Sequence, residues 1–85
     1  MTDIKDTLNE REKTHGSFKR TANTAQLIKM TIRNGTLSPL SQSQKESLDL
    51  IATKIARIVS GDPDDPDHWR DIEGYSRLAR KQLED

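Results

Sequence analysis

Residues 41–83 read SQSQKESLDLIATKIARIVSGDPDDPDHWRDIEGYSRLARKQL, and the spacing of their apolar side chains decides the fold. Leu48, Ile51, Ala52, Ile55, Ile58 and Val59 recur three and four apart, as do Trp69, Ile72, Tyr75, Ala79 and Leu83. A helix turns once in about 3.6 residues, so each set gathers on one face. The pattern predicts two amphipathic helices, 42–59 and 66–83. The short linker SGDPDDPDH leaves them little choice but to lie antiparallel as a hairpin, apolar stripes facing one core.

Upstream the signals are shorter. Ile4 and Leu8 lie four apart among charges, predicting a narrow-striped helix over 3–13 capped by Thr2 or Asp3. The run Thr14-His15-Gly16-Ser17 breaks that pattern, because Gly16 admits a positive φ and Ser17 can cap the next helix. Phe18, Ala22, Ala25, Ile28, Met30 and Ile32 carry a looser stripe, predicting a helix over 18–33 that stops at Asn34-Gly35 in a left-handed cap. For the start of the third helix two capping boxes compete, Ser41 with Gln44 and Ser43 with Glu46. The expected fold is all-α: one domain over residues 1–85, a small bundle of about four helices ending in the antiparallel hairpin.

Composition narrows the function. Of 85 residues only 31% are apolar and 33% are charged, with a mean hydropathy of −0.90, so a lone copy has a thin core. Completion by oligomerisation, as a dimer or tetramer, is expected. The 14 basic and 14 acidic side chains cancel, leaving no global field for a polyanion, and nucleic acid is disfavoured as a partner. Absent cysteine excludes disulfides and thiolate metal sites and suits a reducing cytoplasm. No apolar run approaches the roughly 18 residues of a membrane span.

The candidates for chemistry are few. Glu46 and Asp49 are three apart, hence neighbours on a helix and able to offer carboxylate oxygens to one divalent cation; His68 and Asp71 repeat the spacing. The plainer reading is a solvated helix start for the first pair and a partly buried, hydrogen-bonded histidine for His68. Antiparallel packing sets Asp71 nearer Ile58 than Asp49, so a joint site calls for a second subunit. Lys54 and Arg57 can clamp phosphate oxygens or form surface ion pairs with Asp71 or Glu73. Arg11 and His15 sit in a charged, flexible turn that can cover a polyanionic ligand. The acids of the linker, Asp62, Asp64, Asp65 and Asp67, read as turn and cap residues before a metal loop. Trp69 and Tyr75 are expected in the core, Leu50 on the polar side, and Gly74 where another backbone comes close.

The runs REKTHGSF, LSPLSQSQKESLDLIATKIARIVSGDP and DHWRDIEGYSRLA, covering Arg11 to Ala79, resemble a family of short phage and prophage proteins reading ERxKTHG, KIARIxxGDP and DHWxDIxGY. That family is distantly similar to the MazG-like all-α nucleoside triphosphate pyrophosphohydrolases. The resemblance implies a Mg2+-dependent enzyme in the host cytoplasm. Glu46, Asp49 and Asp71 would hold the metal and activate water, with His68 where a glutamate is expected, while Lys54 and Arg57 would neutralise the leaving pyrophosphate. The alternative is a small non-enzymatic helical protein that binds and modulates a host or phage protein.

Overall fold

The computed structural model describes Ile4 and residues 16–84, and among these the chain is all-helical, with no strand. Three helices run in order: α1 (Phe18–Gly35), α2 (Gln42–Ser60) and α3 (Pro66–Leu83). Their bounds meet the sequence expectation within two residues. The fourth, over 3–13, lies outside the described residues apart from Ile4, which is helical and exposed.

Each start is set by a side chain that satisfies a free backbone N–H. Ser17 Oγ accepts from Arg20 N at 3.2 Å. Of the two capping boxes the structure uses the earlier: Gln44 N donates to Ser41 Oγ at 3.0 Å while Ser41 N donates to Gln44 Oε1 at 2.9 Å. At α3, Asp65 accepts from Asp67 N at 2.9 Å with Pro66 in the first turn. The stop of α1 differs from expectation. Neither Asn34 nor Gly35 takes a positive φ; instead Thr36 Oγ1 donates to the Ile32 carbonyl at 2.7 Å and satisfies that helix end directly.

α2 is the middle of the structure. It packs on α1 along one flank and on α3 along the other, and α1 and α3 do not pack on each other. Among the described residues the result is an open layer three helices wide. At about 100° per residue, the buried Ala52 and Ala56 of α2 point to one flank and Ser47 and Ile58 to nearly the opposite one. Ala25 and Thr21 of α1 and His68 of α3 complete the two seams. Small residues let the backbones come near but bury little apolar area, so each seam contributes modestly.

This arrangement corrects the expected position of the apolar stripe. Its centre at Ile55 falls between the two flanks, and Ile55 and Val59 are exposed while Leu48 and Ile51 are half-buried. A sequence period averages two contact directions into one. Leu50, expected to point outward, is half-buried beside α3 for the same reason. Trp69 also departs from the core expectation: its ring is half exposed, and Nε1 donates to the Pro63 carbonyl at 2.8 Å, pinning the linker.

The layer is tied at one end by Gly16, whose φ is +80°. A Cβ there would run into the Ser60 carbonyl, so the turn before α1 rests directly on the last residue of α2. Gly74, by contrast, has no neighbour within 4 Å of where its Cβ would be, and no backbone comes close there within this chain. Gly16→Ala is therefore expected to lose more than about 1–2 kcal/mol, the left-handed backbone alone accounting for that much. Gly74→Ala should gain about 0.5–1 kcal/mol. Thermal unfolding of the two variants, shifted in opposite directions, checks both.

Candidate functional site

The two seams divide the surface of α2 into an apolar side and a polar side. The apolar side carries Leu48, Ile51, Ile55 and Val59. The polar side carries Glu46, Thr53 and Arg57, and the candidate chemistry sits along its border with α3.

The sharpest contact of that border joins two of the predicted residues. Lys54 Nζ lies 2.8 Å from Asp71 Oδ2, the lysine side chain mostly buried at 12% exposure and the aspartate 43% exposed. The hydrogen bond from Lys54 holds the Asp71 carboxyl below the usual carboxylate range. Desolvation opposes that shift, and attraction to Lys54, His68 and Arg70 adds to it. A lysine stem lying along the seam with its ammonium on a carboxylate is a common way to close a helix pair. Lys54 thus takes up the negative charge that Asp71 would otherwise offer to a metal cation.

His68 is one turn earlier on α3 and is buried at 2% exposure, its Nε2 3.9 Å from Asp65 Oδ2. It forms part of the α2–α3 seam. Glu46 is exposed at the far end of the same seam, in a shallow groove with Ser43 and Leu50 of α2 and Tyr75, Leu78 and Gln82 of α3. That the start of α2 meets the end of α3 confirms the antiparallel hairpin. Glu46 and Lys54 are eight residues apart on one helix, so Glu46 stands about 12 Å along the axis from the level of Asp71. Asp49 turns the other way, sharing a groove with Lys45 of α2, Ile32 and Arg33 of α1 and the connection at Thr36 to Leu40.

Glu46, Asp49 and Asp71 therefore occupy three places: one end of the α2–α3 seam, the α1 flank, and the Lys54 ammonium. Within one chain, no group of three or more histidine or carboxylate side chains among the described residues is placed to hold a metal ion. The nearest approach to a site is the set Lys54, Asp71, His68 and Asp65. Arg57 is half-buried on α2; Arg11 and His15 lie outside the described residues.

The chain matches no family model, no curated protein and no solved structure. Its function must be read from its own geometry.

The linker acids are engaged locally. Asp62 Oδ1 accepts from Asp64 N at 2.9 Å, Asp65 caps α3, and Asp67 Oδ1 pairs with Arg70 Nη1 at 3.0 Å. Sequence reasoning missed the outward apolar side of α2; its only signal was a stripe too wide for one neighbour, spanning Leu48 to Val59 with both Ala52 and Ile51 in it.

The ion pair fixes a pH response. A carboxyl depressed in the folded state contributes stability that is complete above its unfolded pKa of about 3.9 and is lost as pH falls through the lower folded value. Lys54→Met removes the cause, so the variant should show a shallower loss of melting temperature than the parent chain below about pH 4. Melting curves from pH 7 down to pH 2 measure the difference; parallel curves would show that the pair contributes nothing.

Proposed function

We propose that this chain is a non-enzymatic helical binding protein that docks another protein on the apolar side of its three-helix layer, modulating that partner in the phage or host setting that the sequence resemblance implies. The observation that carries this reading is the open side of α2. Val59 is 67% exposed in line with half-buried Ile51 and Leu48, and Trp69 and Leu83 of α3 are exposed as well. Contiguous apolar surface of that kind marks an interaction site.

Magnitudes support it. Burying a Val or Ile side chain is worth about 1.5–3 kcal/mol, so a few such residues give a binding surface real affinity.

The resemblance to pyrophosphohydrolases keeps a second reading, a Mg2+-dependent nucleotide enzyme or nucleotide-binding relative completed by a dimer or tetramer. Asp71 favours it, being ionised and half exposed beside Lys54 and His68. Against it, Glu46 and Asp71 lie along the polar side, while the surface suited to a second copy lies on the apolar side. A dimer formed there would not bring the carboxylates together.

Two measurements decide. A photo-crosslinking residue at Val59, in bacterial host cells, is expected to yield a discrete adduct with another protein, and the same residue at Glu46, on the polar side of α2, none. An adduct only with a second copy would leave the modulator reading without its surface. With Mg2+ and a panel of nucleoside triphosphates, no thermal shift and no pyrophosphate are expected; a shift approaching the ~2.7 kcal/mol of a ligand at 100 times its Kd, with release lost in Asp71→Asn, would establish the enzyme instead.

A further inference from the structure

We propose that the groove at the linker end of the α1–α2 seam binds a free L-α-amino acid with a large apolar side chain. The groove lies where the last turn of α1 meets the first two turns of α2 and encloses about 470 Å³, within the ~300–1,000 Å³ of small-molecule sites. Further along the same seam Ala25, Ala52 and Ala56 are buried and the helices close up. The floor of the groove is apolar: Ile32 and Leu40 are half-buried there, with Pro39 beside them. Its rim carries three charges, Arg33 of α1 and Lys45 and Asp49 of α2.

These three charges are not spent on the fold. The ion pairs among the described residues each involve α3 or its C-cap, and none includes Arg33, Lys45 or Asp49. Lys45 and Asp49 are one turn apart on α2, but with the base before the acid, the order that pairs less well. Asp49 is half-buried, and the Thr53 hydroxyl donates to its main-chain carbonyl at 3.2 Å, not to its carboxylate. The Thr36 hydroxyl at the rim is likewise turned to the Ile32 carbonyl. A half-buried carboxylate has lost part of its water, so a partner of opposite charge that enters the groove is worth more there than on an open surface.

Charge complementarity selects the occupant. A simple anion would be repelled by Asp49 and a simple cation by Arg33 and Lys45, whereas a zwitterion satisfies both signs. An α-amino acid carries its carboxylate and its ammonium on one carbon. The Arg33 guanidinium can donate two parallel N–H bonds to the carboxylate, Asp49 can accept from the ammonium, and the side chain is left for Ile32, Pro39 and Leu40. An interior stretch of peptide brings neither charge from its backbone, and a metal ion would meet one carboxylate between two cations. None of these residues belongs to the apolar side of α2, so the amino acid and a docked protein do not compete.

The test is a titration of the isotopically labelled full chain with L-phenylalanine, followed through the amide shifts of its NMR spectrum. Saturable shifts gathered at the groove residues, with a millimolar Kd, are expected. Phenylpropionate, which lacks the ammonium, and phenethylamine, which lacks the carboxylate, should each bind about tenfold more weakly, the loss of one charge-assisted hydrogen bond. Glycine, with no side chain for the floor, should shift nothing. Asp49→Asn should bring L-phenylalanine down to the affinity of phenylpropionate, and Arg33→Gln should weaken both acids while sparing the amine. Both variants should melt as the parent does, since neither side chain is in an ion pair. An absence of shifts at about 10 mM L-phenylalanine, ten times a Kd of ~1 mM, would overturn the proposal. So would equal binding of phenylpropionate, undiminished binding by Asp49→Asn, or shifts confined to Leu48, Ile51, Ile55 and Val59.

Discussion

The grip of two neighbours on opposite flanks of α2 is the constraint on which the rest depends. Ala52 and Ala56 admit α1 and Ser47 and Ile58 admit α3. Because these directions are nearly opposed, the flanking helices never meet, and among the described residues α2 keeps two free sides. One is apolar through Leu48, Ile51, Ile55 and Val59, the other polar through Glu46, Thr53 and Arg57. The division of α2's surface into an apolar side and a polar side comes from where the alanines stand.

The same constraint explains why the carboxylates do not converge. Residues three apart on a helix differ by about 60° in direction. On a surface helix both would face one solvent space, but on a helix held from two flanks that difference is enough to send Glu46 toward α3 and Asp49 toward α1. Asp71 meets neither, because the antiparallel hairpin sets it opposite Lys54. His68 becomes seam material. Spacing alone shows which residues are neighbours on a helix, whereas the number of helices packed around them determines what they share.

Helix positions were readable from the sequence because local rules governed them. Ser17, Ser41 and Asp65 cap, Pro66 opens α3, and the apolar period runs through each segment. The antiparallel hairpin came from a short linker. Local signals were ambiguous where two devices competed. At Asn34-Gly35 the Thr36 hydroxyl reached Ile32 O and made a left-handed cap unnecessary, and at α2 the earlier of two capping boxes prevailed. Which way α2's stripe faced, and where Trp69 settled, depended on partners distant in sequence and left no local mark.

The rest of Gly16 on Ser60 joins positions about 44 residues apart in the chain, at the far end of an α1–α2 pair whose own linker, 36–41, is about as short as the one between α2 and α3. The α2–α3 pair has its counterpart where Gln42 and Gln82 line one groove. Both outer helices are thus closed onto α2 across short connections of similar entropic cost. Because the outer helices share no contact, a substitution in one seam is expected to leave the packing of the other unchanged, and the effects of changes in the two seams should add.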